Sequence, residues 1–341
     1  MPKAEEVQEL LIKLVDNGLQ FIERSKDELD TDPTFSVAHF AVGVELLLKA
    51  RLFFEHWSLV AVQPHSVTWQ QVKDGTVATI QASALVATIA NLTGNRQLLT
   101  PKDASQKQQD GQPQPPPRFE TLIDRLLSHR NKIVHFVPSQ KKEDIAAEQL
   151  RCWYQLHALM TGEWKTAFHD HGEAITAIDE ELREHHSKYL AIRYDELDRA
   201  HRFTSARHRD GVIDCSRCEY NSAILSTPQL RISLAECPVC LQANEVARDT
   251  DDVWHSIDER ERLSETMCRS CETRDSIIDI DTAFLCTECG AIHPPESVTE
   301  CEWCSQRWAG DAPESEEDED TYSYGCGECG GSYEYMINKD D

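Results

Sequence analysis

Arg130, Asn131 and His135 stand within six residues, in the run Arg-Asn-Lys-Ile-Val-His, and their side chains are those that handle phosphate. A guanidinium grips anionic oxygens through a planar fork, and an imidazole titrates near neutrality, so it can take or give a proton. Asn131 lies four positions before His135, so the two share a helix face. Arg130 and His135 lie five apart, about 500° around a helix, so both can line one site only where the last turn opens. Residues 118–142 carry six Lys or Arg against two acids, a local net charge of +4. Such a patch on an acidic protein suits a phosphate ligand. Similar spacings recur at Arg51…His56, Arg151…His157 and Arg202…His208. Arg130 stands apart through the amide beside it, its basic surroundings, and its place at the end of an amphipathic stretch.

The second chemistry is metal binding. Twelve of the 13 cysteines form six Cys-x-x-Cys pairs: Cys215/Cys218, Cys237/Cys240, Cys268/Cys271, Cys286/Cys289, Cys301/Cys304 and Cys326/Cys329. Each pair offers the bite that tetrahedral zinc takes, and four thiolates make one closed structural site. Six pairs therefore predict about three structural Zn2+ ions per chain. Sequential pairing into ribbons is preferred over cross-braced, RING-like pairing. Ala223-Ile224-Leu225 and Leu230-Arg231-Ile232 supply strand-like residues between the first two knuckles. His293 follows Cys289 closely, but six intact pairs leave it no vacancy. Cys152 stands alone in a helical stretch and reads as a buried core thiol. The start MPKAEEVQELL has no basic segment leading into an apolar one, and no run of 18 apolar residues occurs. A cytoplasmic, reducing setting without a membrane span is expected, which favours zinc over disulfides.

Charge separates the two chemistries. The chain carries −26 overall, with −5 in residues 1–210 and −21 in residues 211–341. Zinc ribbons that grip nucleic acid need cations for phosphate. The acidic array is expected instead to regulate the rest of the chain or to bind a protein partner. Glu314–Asp320 (ESEEDED) reads as a solvated loop.

The elements that must position these residues are mainly helical. Apolar stripes predict helices over 2–30, 34–61, 83–93, 118–136, 141–169 and 173–209. The last is long and charged, the pattern of a stalk or dimer helix. Asp74-Gly75, flanked by Val67, Trp69, Val72, Val77 and Ile80, predicts a small β-hairpin insertion. Residues 101–117 are rich in Pro and Gln and read as an extended loop. The expected architecture is a helical domain over 1–210, followed by small β zinc ribbons at 211–245, 262–294 and 297–335. Glu45, the acid in an apolar helix, is expected to pair with Lys49, with the phosphate-type site as its other possible contact.

Arg130-Asn131-x-x-x-His135, late in a helical domain, resembles the motif of the HEPN superfamily of prokaryotic ribonucleases and toxins. The apolar stretch AVGVELLLKARLFFEH (41–56) also looks like an early HEPN helix. The resemblance covers about residues 1–210 and leaves the zinc array outside. It implies a HEPN-like bundle and metal-independent RNA cleavage leaving a 2′,3′-cyclic phosphate and a 5′-hydroxyl. His135 would be general base or acid, Arg130 would stabilise the phosphorane, and Asn131 would orient His135 or the phosphate. It implies a homodimer with two motifs facing each other, and a toxin role such as phage defence or abortive infection. Family toxins silenced by a nucleotidyltransferase carry Tyr two residues after the His; here that residue is Val137. A self-contained toxin gated by its ribbons therefore fits better. The rival reading is a non-catalytic HEPN-like dimeric adaptor whose ribbons dock protein partners.

Overall fold

A computed structural model describes residues 2–100, 117–135, 142–207, 210–248, 252–257, 262–280, 283–301 and 305–310. The chain divides into two compact units, 1–199 and 200–341. The expected loop at 101–117 lies almost wholly outside the described residues, as does Glu314–Asp320.

The first unit is helical. Its helices are α1 (Ala4–Glu28), α2 (Pro33–Glu55), α3 (Trp69–Lys73), α4 (Ala82–Thr93), α5 (Phe119–His135), α6 (Lys142–Thr161), α7 (Gly172–His185) and α8 (Ser187–Arg199). Asp32 caps α2 by accepting from the Phe35 amide, and Pro33 takes the first turn, where its missing N–H costs nothing. Helix α2 is apolar on most sides because it lies at the centre, packed on α1, α4, α5 and α6. Its crossing with α1 is close at Gly18 and Gly43. A Cβ on Gly43 would sit 2.9 Å from the Gly18 carbonyl oxygen, so no larger residue fits there. Cys152 is fully buried, and burial drives its thiol pKa far up, as a structural cysteine requires.

The β-hairpin expected around Asp74-Gly75 is absent; the segment forms α3. Thr68 and Gln71 close a capping box at its start. At its end Gly75 takes φ +66°, the Gly75 amide donates to Val72 O, and the Thr76 amide donates to Gln71 O. These are the two bonds of a Schellman cap, which uses the same left-handed glycine as a hairpin turn. Only a single bridge, Ala61 to Thr79, joins the flanks of the insertion.

The stretch 173–209 is not one long helix. It breaks at His186, whose backbone is extended (φ −122°, ψ 95°). The break lets Ile175, Ile178 and Leu182 of α7 and Tyr189 and Ile192 of α8 all enter the same core. Asp179, 1% exposed, organises the corner. It accepts from the Tyr189 hydroxyl, from Arg183 Nε at 2.9 Å and from Arg193 Nη1 at 3.3 Å. His157 Nδ1 stands 3.7 Å away. Asp179→Ala is expected to cost about 3–5 kcal/mol, because it takes a buried carboxylate from Arg183 and Arg193. Thermal or denaturant unfolding measures this loss.

The same corner makes stability depend on pH. Burial lowers the His157 pKa below 6.5 despite the opposing pull of Asp179. The unfolded chain then binds the proton more tightly, so stability falls as pH drops below about 6.5. Burial alone would raise the Asp179 carboxyl, but His157, Arg193, Tyr189 and Arg183 together hold it below its ordinary value. Its contribution is lost further down, as pH falls through the folded value. His157→Gln is expected to flatten the slope of unfolding free energy between pH 7 and pH 5; an unchanged slope would refute the assignment to His157.

Among its described residues, the second unit opens with the short helix α9 (Thr204–Arg207) and, apart from a 3-10 turn at Pro295–Ser297, its regular elements are short strands. Strands β1 (Val212–Asp214), β2 (Asn221–Leu225), β3 (Ile232–Glu236), β4 (Ala243–Arg248) and β5 (Trp254–Ser256) form an antiparallel sheet in sequence order. The first ribbon thus extends past the expected end at 245. The second expected strand starts at Ile232, because Leu230 lies in the turn, 54% exposed. Strands β7 (Ile277–Asp279), β8 (Phe284–Cys286) and β9 (Ile292–His293) form the second sheet. The third joins β10 (Val298–Glu300) to β11 (Arg307–Ala309), which pairs in parallel with β6 (Thr266–Cys268). The segments expected as separate second and third ribbons therefore share a sheet. Ribbons this small cannot each bury a core. Ala247 and Ile257, from the first, pack with Ile278, Ile280 and Leu285 from the second.

Candidate functional site: a phosphate-type cleft and two thiolate clusters

Helix α5 buries Phe119, Leu122, Ile123, Leu126 and His129 on one stripe. This stripe turns the neighbouring face, with Leu127, Ser128, Arg130 and Asn131, toward a cleft. The cleft has a volume of about 810 Å³ and is also lined by Glu45, Asp124, Lys132 and His135. Thr79–Ser83, at the start of α4, forms the facing wall. Arg130, Asn131 and His135 thus line one cavity, although five positions separate the outer two. Val134, between them, is 63% exposed, as expected where the helix leaves the core.

Arg130 is held from two sides. Its Nη1 donates to Glu45 Oε2 at 3.2 Å. Its Nε and Nη2 donate to Asn131 Oδ1 at 3.4 and 3.2 Å. Asn131 therefore acts on the guanidinium as well as sharing a face with His135. Glu45 also accepts from Lys49 at 2.8 Å, so the expected helix pair and the contact with the site coexist.

The +4 stretch does not converge on the cleft. Arg118 donates to Gln97 O, and Arg125 pairs with Glu148. In the lining, Arg130, Lys132 and His135 face the carboxylates Glu45 and Asp124. Burial, with Glu120 adding to it, raises the Asp124 pKa. Lys141 and the side chain of Lys142 lie outside the described residues.

His129 was hidden in the sequence beside Arg130. It is buried, and its Nε2 lies 2.7 Å from Glu148 Oε2, which fixes α5 to α6. That hydrogen bond, more than the nearby Arg125, holds the Glu148 carboxyl below its ordinary value. Its only sequence signal is a place three residues after Leu126, on the apolar stripe. Two rival motif matches have structural partners instead. Arg51 pairs with Glu55 and His56 caps the next turn. Arg151 pairs with Glu196, and His157 belongs to the Asp179 corner. His208, of the third match, lies outside the described residues.

Among the described residues, two sets of cysteines pair sequentially. Cys215, Cys218, Cys237 and Cys240 form one cluster, and Cys268, Cys271, Cys286 and Cys289 a second, with all sulfurs of each within 4.8 Å. Sulfurs of facing knuckles lie 3.6 Å apart for Cys215–Cys240 and 3.7 Å for Cys218–Cys237. The second cluster repeats this, at 3.7 Å for Cys268–Cys289 and 3.6 Å for Cys271–Cys286. Zinc–sulfur bonds of about 2.3 Å in a tetrahedron place sulfurs roughly 3.8 Å apart, so the donor sets fit zinc. A disulfide needs about 2.05 Å.

The four knuckles of these clusters share one backbone pattern. In the first, the Glu219 amide donates to Cys215 O and the Cys215 amide to Tyr220 O. Glu219, Leu241, Glu272, Gly290 and Ser305, each directly after a knuckle's second cysteine, all have φ between +57° and +72°. Cys301 repeats the pattern, with the Ser305 amide donating to its carbonyl. Its companions Cys304, Cys326 and Cys329 lie outside the described residues. Buried serines complete the clusters: Ser222 Oγ lies 3.1 Å from Cys237 Sγ, and Ser276 Oγ 3.3 Å from Cys286 Sγ. No sequence signal marks them. His293, at the end of β9, is buried, with Nε2 3.4 Å from Cys268 Sγ. Trp308 is buried packing under Arg269, and Trp303 lies outside the described residues.

No protein-family model matches this chain, and no curated protein or solved structure matches it. Among the described residues, no helix is long and apolar enough to cross a membrane.

Proposed function

We propose that this chain is a HEPN-type, metal-independent endoribonuclease with a zinc-ribbon regulatory tail. The observation that supports it most is Arg130, gripped by Glu45 and Asn131 in a cleft that His135 also lines. The RNA 2′-oxygen attacks the adjacent phosphorus, and the bond to the 5′-oxygen breaks. One proton leaves the 2′-hydroxyl and one reaches the departing 5′-oxygen. His135 serves one of these transfers. Arg130 stabilises the negative charge gathering on the phosphorane. In a homodimer the second copy's His135 serves the other, and its cations offset the carboxylates in the lining. The thiolate clusters hold structural Zn2+, with no ligand position open for chemistry. The acidic ribbons bind a protein partner or restrain the nuclease, which suits a toxin of phage defence or abortive infection acting in the cytoplasm.

The two carboxylates of the lining favour a second reading, a non-catalytic dimeric adaptor. The ends of cut RNA decide. Cyclic phosphate and 5′-hydroxyl ends, formed at the same rate after brief magnesium chelation, are expected. A 5′-phosphate product would refute the mechanism, and no cutting by wild-type protein would leave the adaptor.

A further inference from the structure

We infer that Glu45 is a positioning residue of the Arg130 site: it fixes the guanidinium and, with Lys49, sets the charge that a phosphate meets. The chemistry of this inference rests on the ribonuclease reading; the positioning rests on geometry alone.

Glu45 is the sole acid in AVGVELLLKARLFF (41–54) of α2, a run that is apolar apart from Glu45, Lys49 and Arg51. Its two oxygens are divided between two cations. Oε1 accepts from Lys49 at 2.8 Å, and Oε2 accepts from Arg130 at 3.2 Å. Lys49 donates again, to Thr79 Oγ1 at 3.1 Å, and Thr79 belongs to the cleft wall. Side-chain exposure rises along this chain, from 14% at Lys49 through 21% at Glu45 to 29% at Arg130. The anchor is thus the inner end and the guanidinium the outer end. A freely solvated pair would be worth little. This one is backed by the core of α2.

The geometry leaves Arg130 oriented and still available. A guanidinium has five N–H donors. Glu45 takes one and Asn131 takes two, so two remain for a phosphate. The carboxylate between two cations leaves the group at +1. Glu45→Gln would leave it at +2 while weakening the hold on Arg130. RNA binding should therefore stay equal or tighten, while cleavage at saturating RNA slows by roughly 10²-fold, the cost of a misplaced catalytic group. A merely structural role would lower the folded fraction and leave the rate per folded molecule alone. A latch that hides Arg130 would be released, and cleavage would speed up.

The test uses the full-length protein and two readouts. Single-turnover cleavage of a single-stranded RNA oligonucleotide is compared with binding of its fully 2′-O-methylated, uncleavable counterpart. The Arg130 Nε–H resonance in 15N-labelled protein, assigned by its loss in Arg130→Lys, reports positioning without any activity. It should be sharp in wild type and broadened or fast-exchanging in Glu45→Gln. Slower cleavage with undiminished binding and a changed resonance supports the inference. Cleavage at or above the wild-type rate, or an unchanged resonance, overturns it. If wild type cuts no RNA, the ribonuclease reading fails and the resonance alone decides the positioning. If Glu45→Gln does not fold, Lys49→Met replaces it. That variant should keep the resonance but bind the uncleavable RNA more weakly, and undiminished binding would overturn the inference.

Discussion

His135→Ala is expected to slow RNA cleavage by about 10²–10⁴-fold, with RNA binding little changed. The imidazole lines the cleft from the exposed end of α5, so its removal disturbs no core packing. Arg130→Ala should cost as much and should also weaken binding, since it removes the cation that meets the phosphate and leaves Glu45 partly uncompensated. Arg130→Lys should rescue poorly. An ammonium cannot keep both the Glu45 and the Asn131 bonds while presenting a fork to the substrate. Arg51→Ala supplies the contrast. It breaks the pair with Glu55 in a buried helix, so it should lower the unfolding midpoint and leave cleavage per folded molecule near wild type. Wild-type cleavage by His135→Ala would end the proposed mechanism.

Removal of metal is expected to unfold the ribbons and spare the helices. Structural zinc sites contribute roughly 10–16 kcal/mol of apparent folding free energy near neutral pH. The apolar core shared by the first two ribbons is small, six buried side chains centred on Ile278 and Leu285. Zinc therefore dominates their stability. Freshly reduced protein should carry at least two zinc ions per chain, one for each described cluster, and three if the last two pairs close as expected. Cys237→Ser should remove one zinc and expose the segment from Val212 to Ser256 to protease. Residues 4–199 should keep their helical signal, because they form a separate compact unit with its own core. A chain with one zinc or none, yet a protected second unit, would refute the sequential ribbon assignment.

The sequence by itself determined most of the helices and the chemistry of the thiolates. Apolar periodicity marks α1, α2, α4 and α5 because their stripes face one core, and a Cys-x-x-Cys bite can be read without knowing its partner. Periodicity cannot see a cap. Asp74-Gly75 serves a hairpin and a Schellman turn equally, and the neighbours Thr68 and Gln71, not the glycine, decided for a helix. Nor does a continuous charged stretch reveal its break at His186; that came from the need to bring α7 and α8 onto one core around Asp179. Knuckle pairing depends on which sulfurs meet in space, so the sequence could prefer the sequential scheme to the cross-braced one but not decide it; the folded chain did, by bringing Cys215 to Cys240 and Cys271 to Cys286. The cleft shows the same division. Arg130, Asn131 and His135 were legible as residue types at a spacing. Glu45 was legible as a lone acid with that site as its second contact; its hold on the guanidinium was not, because it lies 85 residues from Arg130 and only the packing of α2 on α5 brings the two charges together.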